Sequence, residues 1–139
     1  MLSQTLEQKR SKYAFEQINS IKGKNYEKDF SSLVSKIGTL ILTNGLGNTL
    51  SFLFAKGKGH HLKMVYILSN WLLNESEFSK EKIKLNEDNI RRNIKEIMDN
   101  LVINVSTEEY IFYTEESLRL INWLRRFSDA MLEEGDQNE

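Results

Sequence analysis

The chain of 139 residues contains no cysteine and no proline. Without cysteine there are no disulfides, thiolate nucleophiles, zinc fingers or iron–sulfur clusters, and the composition fits a reducing compartment. Without proline, glycine is left to end helices, and there are only seven glycines. No apolar run approaches the roughly 20 residues of a membrane span. Met1-Leu2-Ser3-Gln4 also lacks the basic start and apolar stretch of a signal peptide. The expectation is a soluble, cytoplasmic protein with no membrane partner. Histidine is scarce too, with His60 and His61 the only two. Adjacent histidines do not share a helical face as an i,i+4 metal pair would, so the sequence gives no metal site and no cofactor.

What is present is helical periodicity. A first helix is expected from about Ser3 to Lys22, with Leu6, Tyr13, Ala14, Ile18 and Ile21 on one face. A second carries Tyr26, Phe30, Val34, Ile37 and Ile41 up to Asn44-Gly45, read as a left-handed helix cap. Leu46, Leu50 and Leu53 resume the spacing at once, so two helices meet at a tight corner made by Gly45 and Gly47. Lys56-Gly57-Lys58-Gly59-His60-His61 is expected to be a mobile loop with solvent-exposed histidines. A fourth helix runs through Leu62, Trp71 and Leu72, followed by an exposed polar segment from Asn74 to Asn86. A fifth helix buries Ile90, Ile94, Ile97 and Leu101. Ser106 and Glu109 have capping-box spacing for a last helix reaching about Glu134. Val102–Val105 and Tyr110–Tyr113 hold β-favouring residues, yet the fold class is all-α, a single compact bundle of about six helices. One domain is expected over residues 1–134, with a frayed tail at 135–139.

The formal net charge of −1 hides an uneven distribution. Up to Lys63 there are ten Lys/Arg against four Asp/Glu, a charge of +6; beyond it there are nine against sixteen, a charge of −7. A basic half of this kind suits a polyanion, with Lys9, Lys12, Lys22, Lys24, Lys56 and Lys58 as candidate phosphate contacts. Glu108-Glu109, Glu115-Glu116 and Glu133-Glu134 read as capping and solubilising pairs. Arg10 falls inside the apolar stripe of the first helix, where a buried ion pair would hold it, whereas Phe15 falls among lysines on the opposite face. Trp71 and Trp123 read as core anchors.

Three blocks carry a family resemblance over nearly the whole chain: Arg10-Ser11-Lys12-Tyr13-Ala14, then Asn44 through Leu53, then Thr114-Glu115-Glu116-Ser117-Leu118 running into Trp123-Leu124-Arg125-Arg126-Phe127. In order and spacing they resemble the small subunit of the Cmr complex, the type III-B CRISPR effector. The resemblance implies a non-catalytic, all-helical subunit present in several copies beside the backbone and large subunits of a guide-RNA complex. It also implies a basic surface that contacts guide and target RNA. Arg10, Tyr13, Phe15, Asn44, Gly45, Trp123 and Arg126 are the interface or structural positions on this reading. A protein-only adaptor without RNA contact is the alternative, and a small hydrolase using His60-His61 is a third class. One continuous basic face would favour RNA, dispersed lysines the adaptor, and a cleft gathering histidines with carboxylates the enzyme.

Overall fold

The first and last helices of the bundle start on local chemical signals. The computed structural model describes residues 3–76 and 81–135. Helix α1 (Leu6–Ile21) opens on a capping box: the Thr5 hydroxyl accepts from the Gln8 N–H, and the Gln8 side chain accepts from the Thr5 N–H. The α1 end turns at Gly23, whose φ of +86° suits glycine. Helix α2 (Glu27–Asn44) then runs to the corner, α3 (Leu46–Lys56) leaves it at once, and α4 (Gly59–Asn70) follows after two residues. The last helix, α6 (Thr107–Met131), begins on the Ser106/Glu109 capping box read from the sequence and ends before Glu134.

Helix α6 is the spine, with α1 and α2 packed on it and α3 and α4 stacked against α2. Their shared core is apolar and fully buried, with Ile18 and Ile21 from α1, Phe30 and Ile37 from α2, and Leu120 and Leu124 from α6. No strand occurs among the described residues, so the β-favouring residues at 102–105 and 110–113 lie in helical turns and the turn that links them.

Three expectations are corrected. The stretch from Lys56 to His61 is not a loop: only Gly57 and Lys58 separate α3 from α4, and both histidines sit in the first turn of α4. The polar segment after Trp71 is not uniformly exposed. Trp71–Glu75 widen into a π-turn, with the Ser76 N–H donating to the Trp71 carbonyl at 2.8 Å, and Ile83 and Leu85 pack on the core. Asn74 holds Ile83 in place by bonding both its backbone N–H and its carbonyl. The fifth helix is not continuous: a 3₁₀ segment (Glu87–Asn93), a short α5 (Ile94–Met98) and a second π-turn (Asp99–Ile103) follow one another, kinked at Asn89. After α6 the chain lies along α2, where the Glu133 N–H donates to Glu27 at 2.7 Å and Gly135 abuts the Lys28 carbonyl. Residues 136–139 of the expected tail lie outside the described residues.

Candidate nucleic-acid and subunit interface

The stripe position of Arg10 is explained by a partner that the sequence reading placed on the solvated surface. Glu116 is fully buried on the inner face of α6, between Tyr113 and Leu120. Its carboxylate receives Arg10 Nε and Nη2, the latter at 2.7 Å, together with Trp71 Nε1–H at 3.0 Å. The solubilising role assigned to Glu116 is therefore corrected: one charge-assisted fork ties α1 to α6 and to the π-turn. The bond to Glu116 raises the Arg10 pKa further above its ordinary value. Tyr13 belongs to the same cluster. Its ring lies 5.1 Å from Trp71, its hydroxyl donates to the Ile67 carbonyl at 2.8 Å, and burial pushes its pKa up.

The α2–α3 corner uses both glycines, in different ways. Gly45 has φ 89° and ψ 160°, so it occupies a region open essentially to glycine rather than the left-handed helical cap expected from Asn44-Gly45. Its N–H still closes α2 on the Ile41 carbonyl at 2.8 Å, and the exposed Asn44 lends its own carbonyl to the Asn48 amide. Gly47 has helical geometry but no room, because a Cβ there would stand 2.8 Å from Val102 Cγ1. The Gly47 N–H donates at 2.9 Å to the Tyr110 hydroxyl, which caps α3 from the neighbouring helix. Nothing in the periodicity pointed to Tyr110. At the other end of α3, Arg91 caps the Phe54 carbonyl at 2.8 Å over Gly57, whose φ of +67° suits glycine.

The candidate lysines do not form one continuous basic face. Lys9 and Lys12 line a polar cleft of about 450 Å³ between α1 and α4, which also contains Glu16 and Glu75. Lys22 ends α1 and Lys24 lies in the turn beyond it; Tyr26 brings that turn onto Gly59, at the start of α4. Lys24 and Lys58 thus share one end of the bundle with Lys63, whose pKa burial pushes down and whose ammonium lies 3.8 Å from Glu87. Lys56 closes α3 nearby and sits over the Phe52 ring. Here the His60 and His61 rings are 3.9 Å apart and partly buried, in a groove that also holds one carboxylate, Asp29. Burial first, then the positive neighbours His60, Lys56 and Lys58, lower the pKa of His61 to about 4.

On the α1–α6 seam runs an aromatic stripe with Phe15 at its exposed edge and Trp123 and Phe127 packed on the core. Phe15 is 47% exposed and meets Phe127 edge to face at 5.4 Å, and Phe127 stacks on Trp123 at 5.7 Å. Of the two tryptophans only Trp71 is a core anchor; Trp123 is half-buried, and Arg126 one turn on is exposed. Trp123→Ala is therefore expected to cost about 1 to 2 kcal/mol, below the roughly 3 to 5 of a fully buried aromatic. Denaturant midpoints would decide it, and a loss in the higher range would mean that the stripe is covered in solution.

Comparison with known proteins fits this geometry. A crystal structure of a CRISPR-associated Cmr5 family protein from Thermus thermophilus shares the fold with a TM-score of 0.72. The match spans 94% of this chain and 100% of that one, at 19% identity. The family described as CRISPR-associated protein (Cas_Cmr5) matches residues 6–131, which begin on the first residue of α1 and end on the last of α6. The chain belongs to the Cas_Cmr5 family, the small-subunit family that its three sequence blocks resemble.

Proposed function

We propose that this chain is a non-catalytic subunit of a cytoplasmic Cmr effector, present in several copies beside the backbone and large subunits, and that it holds guide or target RNA by phosphate contacts. The supporting observation is the gathering of Lys24, Lys56 and Lys58 at the end of the bundle where the α1–α2 turn meets the α3–α4 junction. Cations projecting from short, glycine-pinned turns can follow a phosphate backbone without reading its sequence. Lys9 and Lys12 share their cleft with two carboxylates, so they belong to a second and weaker patch. Catalysis by His61 is disfavoured because an imidazole with a pKa near 4 is a weak base at neutral pH, and burial lowers the pKa of His60 as well.

The protein-only adaptor has its own support in the division of the lysines into separate patches and in the exposed Phe15, whose ring meets the half-buried Phe127 on the α1–α6 seam. The two readings separate in the assembled complex. Lys56→Gln with Lys58→Gln is expected to flatten the salt dependence of target-RNA binding by roughly one slope unit per lost phosphate contact, with subunit composition unchanged. If the slope stays as it was while the variant drops out of the complex, these lysines dock protein and the adaptor reading takes over.

A further inference from the structure

Between α2 and the α3–α4 junction the surface is recessed into a groove of about 680 Å³, within the size range of small-ligand sites. Leu33 and Leu40 give it an apolar wall from α2, and Lys36 and Lys56 bring positive charge to its lining. Three aromatic rings meet on the other side. His60 lies against His61, and Phe52 meets His61 edge to face at 6.4 Å. Phe52 is 42% exposed, and the Lys56 ammonium sits 5.6 Å from its ring centroid.

The unusual atom of the groove is His61 Nδ1, which is buried and has no hydrogen-bond partner among the described residues. A buried polar nitrogen without a partner is costly, and such groups call for a specific explanation. The depressed pKa keeps the ring uncharged at neutral pH. Neutral imidazole offers one donor and one acceptor rather than a positive charge. An uncharged ring beside Phe52 suits the face of a nucleobase. An acidic helix in the same groove would instead favour a protonated histidine.

We propose that this groove receives one unpaired ribonucleotide, with its base against Phe52 and His61 and its phosphates toward Lys36 and Lys56. The proposal rests on the RNA-contact reading above and goes further than it. Lysines alone would hold any backbone, paired or not, whereas this groove requires a base that has left its stack. Aromatic platforms flanked by cations are the usual means of holding such bases.

Because the chain has only two histidines, their imidazole C–H signals report directly on the groove in NMR spectra of the intact protein. Three probes are titrated: a short single-stranded oligouridylate, an abasic ribose-phosphate oligomer of equal length, and a blunt RNA duplex. The single strand is expected to shift the His61 signals, while the other two leave them nearly in place. Phe52→Leu, at a half-exposed position that tolerates leucine, should weaken single-strand binding about tenfold. Equal shifts from the abasic oligomer would reduce the groove to a phosphate site and overturn the base contact, leaving the lysine reading intact. A lack of histidine shifts with every probe would also overturn it, while the salt-slope experiment on the complex judges the lysines separately. Loss of the Phe52→Leu subunit from the assembled complex, with oligouridylate binding unchanged, would make the groove a protein seat and sink the proposal.

Discussion

Arg10→Ala is expected to destabilise the fold by about 3 to 5 kcal/mol, the penalty for leaving a buried charge without its partner. The Glu116 side chain is 0% exposed and that of Arg10 only 11%, so solvent cannot replace the lost guanidinium. The single Trp71 N–H would remain to satisfy a full carboxylate. Arg10→Lys should recover only part of the loss, because an ammonium cannot reproduce the planar two-point contact. Removing both charges, as in Arg10→Met with Glu116→Leu, should regain most of the stability, short of the cost of an unpaired Trp71 N–H. Chemical denaturation of these variants beside the wild type tests the series. Normal stability of Arg10→Ala together with failure to assemble would place Arg10 at a subunit interface instead.

The boundaries that could be read from the sequence are those set by chemistry within a few residues of one another. The stripe from Phe30 to Ile41 and the stop at Asn44-Gly45 locate α2, and Ser106 with Glu109 locates the start of α6, because caps act across one turn. The burial of Glu116 could not be read in the same way, since its partner lies 106 residues away and the pair Glu115-Glu116 resembles any solvated acidic turn. Its position in the Tyr113–Leu120–Leu124 stripe was the available signal. The π-turns at Trp71 and Asp99 escape notice because one added residue barely disturbs helical spacing over a short window.

The histidine groove was hidden for a different reason. By sequence Gly59 falls in an expected loop, yet it opens α4, where its missing Cβ lets the Tyr26 ring approach to 3.0 Å of the place a Cβ would occupy. That contact draws the α1–α2 turn toward the α3–α4 junction and places Lys24 near Lys58. Charge has no period along a chain, so the separation of Lys9 and Lys12 from Lys24, Lys56 and Lys58 became visible only with the helices in place.

Substitutions at the corner should separate two kinds of glycine requirement that the sequence alone merges. Gly45→Ala is expected to cost about 1 to 3 kcal/mol, because φ 89° with ψ 160° is strained for any residue bearing a Cβ. Space is not its problem, since the nearest atom, the Tyr110 hydroxyl, would lie at an ordinary 3.5 Å. Gly47→Ala should cost a similar amount, about 1 to 3 kcal/mol, through overlap with Val102 rather than through the backbone. Trimming the neighbour distinguishes them. Measured against Val102→Ala alone, Gly47→Ala should then lose much of its cost, because residues in contact couple strongly in a double-mutant cycle. The same cycle with Gly45→Ala should show almost no coupling, as removing methyl groups at 102 leaves the φ of residue 45 unchanged. Coupling at Gly45, or none at Gly47, would mean that the corner is held by contacts other than these. The consequence would then extend to function, because the corner sets the direction in which α3 carries Phe52 and Lys56 to the groove.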